Sequence, residues 1–169
     1  RQSAGSSIPY LCLSIKDHDL DEDSISRKED FSFLQVENHI VKDTIKEICK
    51  LSIKKGIDVN NIQILAPMYK GENGIDNLNM IVQNIFNPKN KNKEEMSIGD
   101  TIYREGDKVI ELVNMPDDNV YNGDIGIIER IDTINKEILV DYDGNEVKYN
   151  KGNLKNFKLG YVISIHKSQ

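Results

Sequence analysis

The sequence predicts an α/β fold that is interrupted by a small β-barrel. Helical and strand patterns alternate over the first 86 residues, short strands and turns replace them from Ile98 to about Asn156, and the apolar run YVISI follows. Apolar strands that alternate with amphipathic helices are typical of a parallel sheet, and several short strands close together are typical of a barrel. The predicted organisation is an α/β part over 1–97, a barrel inserted over 98–157, and a return to the α/β part over 158–169.

The first half of the chain carries four predicted elements. A helix over 4–16 is indicated by apolar residues with the i, i+3, i+4, i+7 spacing of one buried face. Alternating aromatic and branched residues predict a strand over 31–36, and an apolar stripe predicts a helix over 37–55 that ends at Gly56. The run IQILAP predicts a buried strand stopped by Pro67. The order strand, helix, strand favours a parallel layer.

The second half begins with an amphipathic helix over 75–86, followed by the polar segment 89–97, which is predicted to be a linker or a mobile loop. Branched and aromatic residues then predict short strands, and the dipeptides Asn122-Gly123 and Asp143-Gly144 predict turns between strands. These strands lie at 108–113, 126–131, 137–142 and 145–149. They fit a closed, SH3-like barrel. The run at 161–165 is the pattern of a central parallel strand buried on both faces.

Composition excludes a membrane-spanning protein. The chain has 169 residues, 38% hydrophobic and 30% charged, and no apolar run approaches the ~18–20 residues that cross a bilayer. The first residues carry no secretory signal, and we expect an internal piece of a longer chain. Cys12 and Cys49 are too far apart in sequence to suggest a zinc site or a disulfide framework, so a reducing cytoplasm is expected.

Charge is segregated along the chain. The formal net charge of -6 argues against a nucleic-acid partner. However, residues 17–30 contain seven acidic and two basic residues, whereas residues 147–169 contain five lysines and no Asp or Glu. We interpret the acidic segment as a solvated loop and the basic tail as a candidate surface for phosphate.

Candidate site residues follow two of the predicted strands. His166, Lys167, Ser168 and Gln169 come directly after the run at 161–165, and Lys70 and Gly71 lie in the loop after Ala66. In open α/β sheets, ligands bind beyond the carboxyl ends of the strands. The alternatives are a solvated junction between strand and loop in the first case, and an ordinary turn in the second.

Other chemistry is weakly indicated. No G-x-x-x-x-G-K-[ST] sequence occurs, so the chain has no P-loop with which to hold a nucleotide, and no metal site or nucleophilic triad is predicted. Four aromatic residues are placed either to stack on nucleic-acid bases or to pack the barrel core. They are Tyr69, Tyr121, Tyr149 and Phe157.

Four segments in order resemble the RecD/TraA-like DNA helicases of superfamily 1B. The opening RQSAGSSI is similar to the helicase motif after the first RecA-like domain, and QILAPMYKGENGIDNLNMIVQNIFNP is similar to a segment with Leu-Asn and Asn-Pro marks. GDKVIELVNMPDDNVYNGDIGII resembles the entry to the SH3-like 2B subdomain, and IHKSQ resembles the beginning of motif V. Together these segments cover nearly the whole chain.

The resemblance implies a motor that uses ATP and Mg²⁺ to move 5′ to 3′ along single-stranded DNA. The chain would then be an incomplete second RecA-like domain carrying the 2B insertion, and its partner would be the missing first RecA-like domain. By resemblance, Arg1 reaches the γ-phosphate, and Gln2 and Gln169 are linked to ATP. The residues that the resemblance assigns to DNA are Lys70, Gly71, His166, Lys167 and Ser168.

The chain lacks some of the motifs that the family has, and this affects what activity is expected of it. The Walker A and B elements are absent, so the chain alone is expected to bind no ATP and to be catalytically silent. The family names imply DNA repair and recombination, and a likeness to the exodeoxyribonuclease V alpha subunit, although no nuclease carboxylate cluster is present. The alternative function is a non-enzymatic module whose SH3-like barrel binds a protein partner.

Overall fold

In the computed structural model, which describes residues 5–167, the chain forms two compact units, 1–37 and 38–169. Arg1, Gln2, Ser168 and Gln169 lie outside the described residues. The described helices are α1 (Ile8–Lys16), α2 (Val41–Lys54) and α3 (Ile75–Phe86). The strands are β1 (Ile64–Ala66), β2 (Glu95–Ile98), β3 (Thr101–Arg104), β4 (Lys108–Glu111), β5 (Ile125–Asp132), β6 (Glu137–Tyr142), β7 (Asn145–Tyr149), β8 (Phe157–Leu159) and β9 (Val162–Ser164). None of the described helices is long and apolar enough to cross a membrane.

The first unit contains α1 and the acidic segment. Pro9 lies in the first turn of α1, where its missing N–H costs no hydrogen bond. The predicted buried face is wrong, because no residue of α1 is buried within the described structure. The acidic segment is folded by local turns: Asp21 accepts hydrogen bonds from the backbone and hydroxyl of Ser24, and Asp30 accepts them from Ser6 and Ser7. These donors lower the pKa of Asp30 to about 2.

The predicted strand over 31–36 is wrong. These residues belong to no strand, and the side chains of Phe33 and Leu34 are 54% and 60% exposed. Alternation of apolar residues describes how a strand would present its side chains, but a strand also needs a neighbour that accepts and donates its backbone hydrogen bonds. Without this strand, the expected order of strand, helix and strand is reduced to helix α2 followed by strand β1.

In the second unit, β1 and β9 form a parallel pair, with Ile64 opposite Val162 and Ala66 opposite Ser164. The predicted burial of β9 is confirmed, since Tyr161, Val162 and Ile163 are each at most 6% exposed. Its predicted central position is not observed, because β9 pairs with β1 alone among the described strands. Helix α3 packs on this pair through Ile75, Leu78 and Val82, and its bounds are those predicted.

The inserted strands form an antiparallel sheet in the order β7-β6-β5-β4-β8, with β2 and β3 as a separate hairpin. The sheet is open in the described structure, so the closed barrel predicted from the sequence is not observed. The predicted linker 89–97 is wrong at its end, where β2 begins at Glu95. The predicted turn Asp143-Gly144 is confirmed, as both residues have positive φ values of 55° and 90° between β6 and β7.

Candidate nucleic-acid interface

The carboxyl ends of β1 and β9 lie at the same edge, because the two strands are parallel and in register. The loop 67–74 follows β1, and a short 3-10 turn, Ile165–Lys167, follows β9. The structure therefore brings together the two segments in which the sequence placed candidate ligand-binding residues. This adjacency is set by backbone pairing across almost a hundred intervening residues.

The loop 67–74 is a tight turn closed by its own backbone. Met68 and Tyr69 accept hydrogen bonds from the backbone N–H groups of Ile75 and Asp76, at 2.9 and 3.2 Å. Gly71 has a φ of +99°, and a Cβ at Gly74 would lie 2.6 Å from backbone atoms of Lys70 and Tyr69. The glycines thus permit the turn, and the turn leaves Tyr69 and Lys70 exposed next to α3.

A cleft of about 650 Å³ opens beside this edge. Its buried lining is mainly apolar and includes Leu154, Phe157 of β8 and Val162 of β9, together with the polar side chains of Asn79 and Ser164. Five charged residues also line it: Asp76, Asp100, Lys155, Lys158 and Lys167. Tyr69 lines it as well and is 50% exposed. Three cations and one exposed aromatic ring around an apolar surface are the groups that bind phosphates and stack bases of a single strand.

Of the predicted site residues, only Lys167 lines the cleft within the described part of the chain. Lys167 is half-buried and lines the cleft, whereas His166 is exposed on the same 3-10 turn. Lys70 and Gly71 are exposed in the neighbouring turn. Ser168, Gln169, Arg1 and Gln2 lie outside the described residues, so their predicted roles have no structural account.

The four aromatic candidates divide into two pairs. Tyr149 and Phe157 are buried with ring centroids 4.7 Å apart, so they pack in the core of the inserted sheet, which agrees with the second interpretation. Tyr69 and Tyr121 are 50% and 46% exposed. Of the four, these two alone present ring surface to a ligand.

Lys155 and Lys158 line the cleft but were not among the site residues predicted from the sequence. They were predicted only as part of the basic tail at 147–169, a candidate surface for phosphate. The available signal was their position around Phe157: in β8, Phe157 and Leu159 are buried while Lys158 is exposed. That alternation predicts an outward lysine, but the element opposite it is known only from the fold.

One wall of the cleft is held by an amide. The Asn79 side chain donates to the carbonyl of Val162 at 2.7 Å and accepts from its N–H at 2.9 Å, so it satisfies both backbone groups of a β9 residue. Asn79 lies in α3 and is the Asn of the Leu-Asn pair in the segment that resembles the helicase family. It ties the helix to the edge of β9 as a further strand would.

Asp107 is a fully buried carboxylate that joins α3 to the inserted sheet and to β9. It accepts hydrogen bonds from Gln83 of α3 at 2.6 Å, from Asn87 at the C-terminal cap of α3 at 2.7 Å, from the backbone N–H of Arg104 at 2.7 Å, and from the Tyr161 hydroxyl at 3.0 Å. Burial raises its pKa, although the donors act in the opposite direction. The Asp of the sequence G-D-K-V, at 106–109, therefore lies at the centre of this hydrogen-bond network.

Glu111 is a second buried carboxylate, in the core of the inserted sheet. Its Oε2 accepts from the hydroxyls of Tyr142 and Tyr149 at 3.1 and 2.6 Å, and its Oε1 accepts from the backbone N–H of Val113 at 3.0 Å. Burial raises the pKa of both tyrosines, which keeps them protonated as donors. The sheet that carries the cleft is thus organised around a polar centre as well as an apolar one.

Comparisons with known proteins show similarity to DNA helicases. Residues 78–142 match the family described as the SH3 domain of ATP-dependent RecD-like DNA helicases. This stretch of the chain is therefore similar to the SH3 domain of RecD-like helicases, in agreement with the resemblance seen in the sequence. More particularly, it is 33% identical over 108 residues to the ATP-dependent RecD2 DNA helicase of Deinococcus radiodurans. The match covers 64% of this chain and 14% of that relative.

Two solved structures of Pif1 helicases share the fold. One shows two coordinating Pif1 helicases in DNA unwinding at forked double-stranded DNA, with a TM-score of 0.54, 18% identity, and coverage of 99% of this chain and 38% of that one. The other is Bacteroides Pif1 bound to single-stranded DNA, with a TM-score of 0.52, 13% identity, and coverage of 99% and 41%. At these identities the likeness concerns the fold alone.

Proposed function

We propose that the chain is part of an ATP-dependent DNA helicase that moves 5′ to 3′ on single-stranded DNA, and that the cleft beside β1 and β9 contacts the strand. The observation that carries the proposal is the position of Tyr69, Lys70 and Lys167 at one sheet edge, in a chain whose residues 78–142 match the SH3 domain of RecD-like helicases. The DNA partner is supported by the name of the RecD2 relative.

Within this proposal, 1–97 and 158–169 are parts of the second RecA-like domain and 98–157 is the SH3-like insertion. Arg1, Gln2 and Gln169 face the nucleotide, and Lys70, Gly71, His166, Lys167 and Ser168 face the DNA. Reduced thiols at Cys12 and Cys49 fit a cytoplasmic location, and the RecD-like relationship fits a role in DNA repair or recombination.

The binding of ATP and Mg²⁺ is a separate part of the proposal. The sequence contains no P-loop, and residues 5–167 hold no group of three or more His, Cys, Asp or Glu side chains placed to bind a metal ion. We assign nucleotide binding to the first RecA-like domain of the longer protein. The described part of this chain grips the strand in this proposal, while Arg1, Gln2 and Gln169 face the nucleotide.

The purified chain is expected to hydrolyse no ATP above the rate of a buffer blank, with or without single-stranded DNA. The physical reason is that phosphoryl transfer needs a phosphate cradle and a metal site on the first domain. A coupled phosphate-release assay measures this. Robust turnover by these 169 residues would contradict the assignment.

The variant K70A/K167A tests the DNA interface. Because each lysine that contacts a phosphate of a single strand contributes a salt slope of about 0.7, the double variant should lose about 1.4 from the slope of log K against log salt. Its affinity for an oligothymidylate at low salt should fall about tenfold or more. Fluorescence anisotropy over a salt series measures both quantities.

A matched control, K54A/K55A, removes two exposed lysines from the end of α2 outside the cleft lining. It should bind like the unaltered chain. If the unaltered chain binds no single-stranded DNA even at low salt, and a Pro-rich or acidic peptide docks on the SH3-like sheet instead, the protein-interaction module becomes the better assignment.

A further inference from the structure

A side-chain hydrogen bond joins the inserted sheet to the end of β9. The Nζ of Lys167 donates to the Oδ1 of Asn122, which lies 45 residues earlier in the connection between β4 and β5. Both belong to segments singled out in the sequence, the Y-N-G-D turn and the polar cluster after β9. The contact is with a lysine that lines the cleft.

Asn122 is presented by a turn that is tightly held. Its own N–H donates to Asn114 at 2.9 Å, and the N–H of Tyr121 donates to the carboxylate of Asp124 at 2.7 Å. The N–H of Gly123 donates to the carbonyl of Glu111 at 2.9 Å, with Gly123 at a φ of +106°. The backbone of Asn122 is therefore held in a preorganised turn, and its side-chain amide contacts Lys167 from that turn.

The hydrogen bond to Asn122 leaves the Lys167 ammonium able to bind a phosphate. A neutral amide oxygen takes one of the three ammonium hydrogens and leaves the positive charge and two donors for a phosphate oxygen. It also restrains a long side chain that would otherwise lose rotamer freedom on binding. A carboxylate in the same place would satisfy the lysine and offset its charge.

We propose that Asn122 is a positioning residue, which holds the Lys167 ammonium at the cleft in the orientation that meets the phosphate backbone of single-stranded DNA. This inference rests on the proposed function and deepens it. The inserted sheet then affects DNA affinity through Lys167, without requiring Asn122 to contact the strand. The turn thereby acquires a role beyond connecting two strands.

The experiment compares binding of fluorescent oligothymidylate to the unaltered chain and to N122A, N122D, K167A and N122A/K167A. N122A should bind about three- to tenfold more weakly with an unchanged salt slope, because the charge of Lys167 remains. N122D should lower the slope by about 0.7, to the value of K167A, because its carboxylate occupies the lysine. N122A should have no further effect when Lys167 is already alanine.

N60A serves as the matched control, since it removes an exposed asparagine outside the cleft lining, and it should bind like the unaltered chain. Asn122 is also exposed, and thermal unfolding followed by circular dichroism should show N122A to be as stable as N60A.

Two results would overturn the inference and leave the proposed function standing. In the first, K167A weakens binding while N122A and N122D bind like the unaltered chain. In the second, N122A weakens binding equally with and without Lys167, so that its effect does not pass through the lysine. If the unaltered chain does not bind at low salt, the proposed function falls, and this inference with it.

Discussion

The substitution D107A is expected to lower the free energy of unfolding by about 3–5 kcal/mol. Asp107 is 0% exposed, and its two oxygens accept four hydrogen bonds, three from side chains and one from the backbone. Alanine removes every acceptor and leaves the donors of Gln83, Asn87 and Tyr161 buried without partners. Because these donors come from α3 and from the residue before β9, the loss should loosen both sides of the cleft.

Urea denaturation followed by far-ultraviolet circular dichroism measures the change. The matched control is D117A, since Asp117 is exposed in the turn after β4, and its removal should alter stability by no more than about 0.5 kcal/mol. A D107A variant within about 1 kcal/mol of the unaltered chain would show that water or rearranged side chains satisfy these donors.

Removal of the second buried carboxylate, in E111A, should cost about 2–4 kcal/mol. The hydroxyls of Tyr142 and Tyr149 would lose their shared acceptor, the N–H of Val113 would lose its partner, and a cavity would open in the sheet. The tyrosines retain one hydrogen bond to each other, at 2.8 Å between their oxygens. For this reason the largest expected loss in the free energy of unfolding is smaller than for D107A.

The matched control for this variant is E146A, which removes an exposed glutamate from β7 and should be nearly neutral. Y149F separates the hydrogen bond from the cavity, because it keeps the ring packed and deletes only the hydroxyl; about 1–2 kcal/mol is expected. In the double variant E111A/Y149F the combined loss should be smaller than the sum of the two single losses. Full additivity would mean that the two side chains do not stabilise the sheet through each other.

Elements that depend on local patterns were predicted closely. The bounds of α3 follow from its apolar stripe and from Asn87-Pro88 at its end, and the hairpin of β6 and β7 follows from alternation around Asp143-Gly144. Both are decided within a short stretch of chain, where side-chain periodicity and turn chemistry act directly.

Three strands, β2, β3 and β8, escaped prediction. They have only three or four residues, and none of them has the continuous apolar run by which the equally short β1 and β9 were predicted. The predicted strand at 31–36 failed in the opposite way, since it has the alternation but no neighbouring strand. Strand formation depends on a partner that is distant in sequence, and a single segment does not contain that information.

The candidate interface shows the same division. The sequence by itself determined which segments follow apolar strands, and it therefore selected Lys70 and Lys167 as candidates. Lys155 and Lys158 joined them only through the fold, and so did the contact between Asn122 and Lys167. An outward lysine is a local property, whereas its neighbours across a cleft are set by packing.

The RecD-like relationship, the alternation of strands and helices, and the inserted run of strands were determined by the sequence, because motif spacing and periodicity are properties of neighbouring residues. The tertiary structure alone decided that Asp107 and Glu111 are buried and that β1 and β9 share an edge. The physical reason is that burying a carboxylate requires several donors at once. Here those donors come from residues up to 54 positions away, which only the folded chain brings together.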